Sequence, residues 1–422
     1  MSQSISLYKQ LANHKLFNKS VKFNLTRIKL ILKKLGHPEK KMNNVINFLG
    51  SSGKFSTLYS LKSFIEANNQ TATAYISPSI KSISDRFWMG ESYLTYKEIR
   101  HSIKIIEKLK VPLTIFEVLT VIFIINASKQ NVHYHLVEAG ALFAKDSSNV
   151  FDFPLAQVVV NINKQHLNFL DKNKKTLDEV IYQKVGFLSN FTSIYIGKQT
   201  PYVLKKIKKN LKKNKSKINY PNTWKLIKKS NQYFYQDKKF KIKLNNKNIH
   251  SIGLLENLCH AIKISLDLKI DIKVIEKTIP KILFEGRFQY LNKGKIKDKL
   301  NKNEKIMIDG AHAEADAKNL VNYLKNIKVT KYAIWAMMKN KEPDLFIKKF
   351  KGIFKQIITI PIENEKNCMS AVDLKIIAKK NHFNVDAAKN FDEGIKKISS
   401  ANKKLIVCLG SLYNVGNILN KN

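Results

Sequence analysis

The residues best suited to chemistry sit in one short loop, Gly50-Ser51-Ser52-Gly53-Lys54-Phe55-Ser56-Thr57. Two glycines, a lysine and two hydroxyl side chains are the groups that cradle a polyphosphate. Backbone N–H groups at a helix N-terminus face an anion. Lys54 supplies a point charge for the β- and γ-phosphates of ATP, and the hydroxyl of Ser56 or Thr57 can reach Mg2+. The common pattern G-x-x-x-x-G-K-[ST] is not met: its first glycine falls on Phe48, and Phe55 follows the lysine. What remains is G-x-x-G-K-x-S-T, and Gly50, Gly53, Lys54, Ser56 and Thr57 are the candidate nucleotide-binding residues.

Such a loop works only between a strand and a helix, and the flanking residues supply both. Residues 24–35 read as an amphipathic helix that stops at Gly36 and Pro38. Val45–Leu49 is a short apolar strand before the loop, and a helical pattern runs from Ser56 to about Asn68. Further apolar strands are expected at Ala72–Ile76, Tyr134–Ala139 and Gln157–Ile162. Continuous apolar strands separated by helices indicate a mostly parallel sheet covered on both faces. Polar residues gather after the strand ends, where open α/β sheets place ligands.

The pattern changes after Pro280. Residues 284–304 are polar and lack sustained periodicity, and a domain boundary is expected there. Beyond it, strands are expected at Lys305–Ile308, Tyr332–Met337, Gln356–Ile360, Asn384–Ala387 and Leu405–Leu409. The fold class is therefore α/β. A P-loop-type ATP-binding domain is expected over 1–285, a linker over 286–300 and a smaller Rossmann-like domain over 301–422.

Composition narrows the alternatives. With 422 residues, 44% hydrophobic and 25% charged, the chain suits two or three globular domains and excludes global disorder. The net charge is +43, but only four of the 75 basic residues are arginine. A nucleic-acid site clusters its charge and favours arginine, so a lysine bias spread over the surface fits better, and no nucleic-acid partner is expected. The densest basic run, 205–217, carries Leu204, Ile207 and Leu211 as an apolar stripe and reads as a solvated amphipathic helix. Tyr220, Trp224, Tyr233, Phe234 and Tyr235 follow among further lysines, a pattern that could stack on single strands but comes with no nucleic-acid fold motif. His133 and His135 share a strand face without a third ligand nearby and read as ordinary strand histidines.

The cysteines Cys259, Cys368 and Cys408 are isolated, which fits a reduced compartment. The first residues lack the apolar core of a signal peptide. Val111–Ala127 carries Glu117 and Pro112 and reads as a buried helix rather than a membrane span. A cytoplasmic monomer without membrane contact is the expectation.

Beyond the loop, nine short motifs in register resemble the folylpolyglutamate synthase/dihydrofolate synthase family of the Mur ligase superfamily. The family's G-T-N-G-K-G-S-T is matched by GSSGKFST at 50–57. Ser77-Pro78 resembles its S-P-H-L, Asp85-Arg86-Phe87 its E-R-I, and Thr114-Ile115-Phe116-Glu117 its T-x-F-E. Val137-Glu138-Ala139-Gly140 resembles V-E-V-G, Gln165-His166 stands at D-H, and Gln183-Lys184-Val185-Gly186 resembles E-K-A-G. Gly286-Arg287, Asp309-Gly310-Ala311-His312 and Gly410-Ser411-Leu412-Tyr413 match G-R, D-G-A-H and G-S-L-Y. The likeness covers nearly the whole chain.

The resemblance implies an ATP-dependent amide ligase. ATP would phosphorylate a carboxylate of dihydropteroate or of a folate, and the amino group of L-glutamate would displace the phosphate. It implies Mg2+ held by Ser77, Glu138 and His166, alongside Ser56. It makes Lys184 the lysine that the family carbamylates. Asn257 and Arg287 would meet the nucleotide, Asp309 would bind ribose, and His312 would lie nearby. Arg86, Phe116, Glu117, Asp146 and Ser411 would face the substrates.

The chain departs from the family's G-L-G-G-R-x-D-A-T-N at 140–149, which reads GALFAKDSSN and loses a glycine pair and an arginine. Ser79 replaces a histidine, Ala313-Glu314 replaces N-P, and Phe55 replaces a glycine. Side chains thus stand where backbone could approach a ligand. Two alternatives stay open: an amide ligase with another acceptor, and a non-catalytic relative.

Overall fold

The computed structural model describes residues 2–17, 24–230, 232–398 and 402–422. Two of its three sheets are mostly parallel, as the runs of Val, Ile and Leu require when both faces are buried. The first contains β1 (Val45–Leu49), β2 (Ala72–Tyr75), β3 (Phe87–Met89), β4 (Tyr134–Glu138), β5 (Ala156–Val159), β6 (Ser193–Ile196) and β7 (Lys217–Asn219). Their order is β3-β2-β4-β1-β5-β6-β7, and only β3 runs antiparallel to its neighbour. β1 sits between β4 and β5, so the loops after these strands open at one point of the sheet edge.

A second sheet, not expected from the sequence, pairs β8 (Trp224–Lys229), β9 (Gln232–Asp237) and β10 (Lys241–Lys243) antiparallel. Trp224 and Tyr235 are buried beneath it. These aromatics therefore pack a core and do not form a free stacking ladder. The basic run also divides: its helix spans Pro201–Asn210 and ends at Leu211, while Lys217 begins β7. Asn214 ends the helical course by donating to the carbonyls of Leu188 and Ser189. The apolar stripe itself holds, with Ile207 and Leu211 buried.

The third sheet contains β11 (Gln289–Tyr290), β12 (Glu304–Ile308), β13 (Thr330–Trp335), β14 (Gln356–Thr359), β15 (Val385–Ala387) and β16 (Lys404–Leu409), in the order β11-β12-β16-β13-β14-β15. Gln289 and Tyr290 pair antiparallel with Ile308 and Met307, and Lys295–Asp298 is helical. Residues 286–300 are thus an edge of this sheet rather than an open linker. A two-residue strand is too short to show an alternating pattern.

Local signals set the helix starts. Asn24 accepts from the Thr26 N–H at 2.6 Å and caps Leu25–Lys34. Thr114 and Glu117 form a reciprocal capping box that starts the buried helix Ile115–Ala127 just after Pro112. No helix among the described residues is long and apolar enough to cross a membrane. His135 lies in β4 and bonds Thr73 at 2.7 Å, whereas His133 precedes the strand and bonds Thr71, so the two do not form a metal pair.

One apolar cluster runs from the first sheet (Ile46, Phe48, Val158) through Phe284 and Phe288 to the third (Met307, Trp335, Val407).

Candidate active site

β1 ends in the phosphate-type loop, and glycine is required there twice. Gly50 has φ +136°, and a Cβ on it would stand 2.5 Å from Val160 Cγ2. Gly53 has φ +103°, and a Cβ on it would stand 2.6 Å from the Asn257 amide. Lys54 opens the helix Lys54–Ala67, which starts two residues earlier than the sequence pattern. The Ser56 hydroxyl donates to the Gly53 carbonyl at 3.1 Å and accepts from Asn257 Nδ2 at 2.8 Å. Asn257, from the helix Ile252–Asp267, therefore braces the loop and lines the cleft with it. Thr57 Oγ1 is buried with no protein hydrogen-bond partner.

Glu138, the last residue of β4, faces this loop. Its Oε1 lies 3.8 Å from Lys54 Nζ, and its Oε2 accepts from the Ser77 N–H at 3.1 Å. Burial pushes the Glu138 carboxyl up, while Lys54, the Ser77 N–H and Arg287 oppose this. His166 has φ +66° and follows β5. Burial, with Lys184 and Lys54 adding to it, lowers its imidazole to about 2, so it is neutral at physiological pH. Its Nδ1 is buried and unpaired within the protein.

No group of three or more His, Cys, Asp or Glu that could hold a metal ion is present among the described residues. Ser56, Ser77, Glu138 and His166 offer two hydroxyls, one carboxylate and one neutral imidazole. This set suits a Mg2+ ion that takes its remaining ligands from phosphate and water. The unpaired His166 Nδ1 and Thr57 Oγ1 are consistent with polar partners supplied by a ligand.

Lys184 is 1% exposed and lies behind the loop rather than on the cleft wall. Its Nζ donates to the carbonyls of Gly50 at 2.9 Å and Ala141 at 2.5 Å. Burial lowers its amine well below the usual lysine range, and the Lys54 charge adds to this.

The third sheet supplies the opposite wall. Asp309 follows β12 and is 2% exposed; its oxygens accept from the N–H groups of Phe288 at 2.8 Å and Ala311 at 2.7 Å. Burial pushes its carboxyl up to about 6, against the pull of Arg287. His312 Nδ1 bonds the Gly310 carbonyl at 2.7 Å. Ser52 reaches across to Asp316 at 3.4 Å. Lys54, Glu138, Arg287, Asp309, His312 and Ser411 thus line one cleft of about 1850 Å3.

On the substrate side the structure reassigns several residues. Arg86 is 6% exposed, and its Nε donates to Tyr8 Oη at 2.9 Å, while Tyr8 also bonds Ser79 at 3.1 Å. Tyr8 has no motif around it, and sequence reading missed it. Glu117 is held by its own cap and by Arg27, whose Nη2 lies 3.0 Å away, so this carboxylate holds local structure. Phe116 packs against Gly140, where a Cβ would stand 2.7 Å from its ring. Asp146 accepts from the N–H groups of Gly140, Ala141 and Ser148 and from the Ser148 hydroxyl. With four donors on its two oxygens, Asp146 shapes the 140–148 segment at the cleft wall. Ser411 caps the last helix by accepting from the Tyr413 N–H at 3.2 Å.

The aromatic replacements do not close the cleft. Phe143 is 1% exposed and packs with Leu49, Val180 and Ile181 away from it. Phe55 lines the cleft and stacks on Tyr59 at 5.6 Å.

Residues 292–421 match the model of the dihydrofolate synthetase C-terminal domain. Over 413 residues the chain is 24% identical to the dihydrofolate synthase/folylpolyglutamate synthase of Buchnera aphidicola, covering 96% of this chain and 94% of that protein. The chain is similar to proteins named dihydrofolate synthase/folylpolyglutamate synthase along nearly its whole length. A Bacillus subtilis protein of the same name is 26% identical over 197 residues, 44% of this chain and 45% of its own. In fold, the chain is similar to Mycobacterium tuberculosis folylpolyglutamate synthase complexed with ADP and AMPPCP. That match has a TM-score of 0.85 at 16% identity and covers 99% of this chain and 98% of that one. The bifunctional Yersinia pestis enzyme complexed with AMPPNP and Mn gives 0.84 at 18% identity, covering 99% and 97%. These two structures thus share the overall fold described above.

Proposed function

We propose that the chain is an ATP-dependent ligase that joins L-glutamate to dihydropteroate, to folates, or to both through an acyl phosphate. The observation that carries this reading is the single cleft. On one wall are the Lys54 loop and Glu138, and on the other are Arg287, Asp309 and His312.

A carboxylate is a poor electrophile, and phosphorylation supplies a leaving group. Catalysis of that kind rests on positioning and charge neutralisation. Lys54 and the loop N–H groups hold the phosphates, and Arg287 meets them from the second wall. Asp309 accepts from the ribose. Bound Mg2+, held by Ser56, Ser77, Glu138 and His166, would neutralise phosphate charge. Burial lowers the Lys184 amine toward the form that can take up CO2, the modification the family resemblance implies.

A second reading keeps the same chemistry with a different acceptor. The four donors on Asp146 favour it, because a pterin ring would compete with them for that carboxylate.

The test mixes protein, ATP, Mg2+ and glutamate with either dihydropteroate or tetrahydrofolate and follows ADP and new amide. Turnover with either acceptor supports the folate reading. ADP release with neither would overturn it and leave the second reading.

A further inference from the structure

The loop after β2 begins at the metal corner and ends against the other half of the molecule. Ser77 donates to Glu138, and Ile80, three residues on, packs against the third-sheet cluster that holds Val415 and Ile418. Lys81 Nζ pairs with Glu285 at 2.9 Å, and its carbonyl accepts from Asn420 Nδ2 at 3.1 Å. Between these contacts lies Gly416, buried inside the helix Leu412–Lys421. A Cβ at 416 would overlap the Ile80 carbonyl oxygen and stand 2.8 Å from its carbonyl carbon. The obstacle is backbone, so no rotamer change relieves it. Glycine is a weak helix former, and an exposed helix of the same length would favour alanine here. The contact with Ile80 gives glycine a reason at this position.

We infer that Gly416 is a positioning residue: it is the seat on which the 77–82 loop rests, and it fixes the Ser77–Glu138 corner relative to the Arg287–Asp309 wall. It touches no phosphate. It acts through Ile80 and the two residues, Pro78 and Ser79, between Ile80 and Ser77. This inference rests on the ligase reading for its kinetic arm only. Its structural arm, amide exchange, needs no substrate.

The experiment compares wild type with Gly416→Ala and Asn420→Ala. In Gly416→Ala the kcat is expected to fall on the order of tenfold to a hundredfold, the scale of a misplacement of about 1 Å. The KM for ATP should stay within about threefold, because the nucleotide loop is untouched. Amide exchange across residues 79–82 should rise in the same protein. Asn420 is exposed, so Asn420→Ala should fold and show a smaller change in the same two directions. A folded Gly416→Ala protein with wild-type kcat would overturn the seat. So would a drop in kcat with unchanged exchange at 79–82, which would mark a loss by another route. If Gly416→Ala does not fold, Asn420→Ala decides: unchanged kcat and exchange overturn the proposal. If wild type turns over neither acceptor, the ligase reading falls, and the exchange comparison still judges the seat.

Discussion

Lys54 and Lys184 converge on one atom, the Gly50 carbonyl oxygen, at 3.3 and 2.9 Å. Two cations cannot share a buried carbonyl cheaply. Burial and the neighbouring Lys54 charge both weaken the hold of the Lys184 amine on its proton. Its Nζ ties Gly50 to Ala141 behind the loop.

Replacing Lys184 with methionine should therefore act on stability as well as turnover. It leaves two buried carbonyls without this donor, a loss of about 1–3 kcal/mol. Thermal unfolding should show Tm lower by a few degrees, and an unchanged Tm would mean the two bonds are not formed.

Lys54→Ala should behave differently. The side chain lies at the cleft, and its charge is needed only when phosphate is present. ADP formation should fall on the order of 10^2–10^3-fold, with far-UV circular dichroism unchanged. Turnover near wild type would remove this lysine from the mechanism.

Asp309 gives a pH test with a definite sign. Burial raises its carboxyl to about 6, so the folded protein takes up this proton more readily than the unfolded chain. The destabilising effect of its ionised form is fully present above about 6 and absent below the ordinary aspartate range. From this group, stability rises as pH falls through that window. Nucleotide affinity should move the other way, because only the ionised form offers both oxygens to N–H groups and a ribose hydroxyl. Titration calorimetry with AMPPNP at several pH values should show weaker binding below about 6. Asp309→Asn should flatten that dependence.

Phe143→Ala should destabilise the chain by about 3–5 kcal/mol, as for a buried aromatic, and should not tighten folate binding. A gain in acceptor affinity without loss of stability would place this ring in the cleft after all.

Much of this was legible in the chain itself. The apolar runs at β1, β4 and β16 carry strong local signals and fall where expected within one residue, whereas the buried helix expected from Val111 starts at Ile115. Lys54, Ser77 and Asp309 were conspicuous because each follows a strand within a few residues. What was not legible depends on distant partners. Tyr8 binds Arg86 across 78 positions, and Glu117 binds Arg27 across 90, with no local pattern for either. Asp146 looked like a ligand because a carboxylate among small polar residues is ambiguous until its donors are located. The β8–β10 hairpins were hidden by lysines that break the usual alternation.

The apolar cluster that passes from Ile46 through Phe284 to Trp335 has a mechanical consequence. Heat cannot loosen either half without wetting a surface that both halves share. Calorimetry should record a single cooperative peak, and a fragment cut within residues 286–300 should expose an oily flank and precipitate.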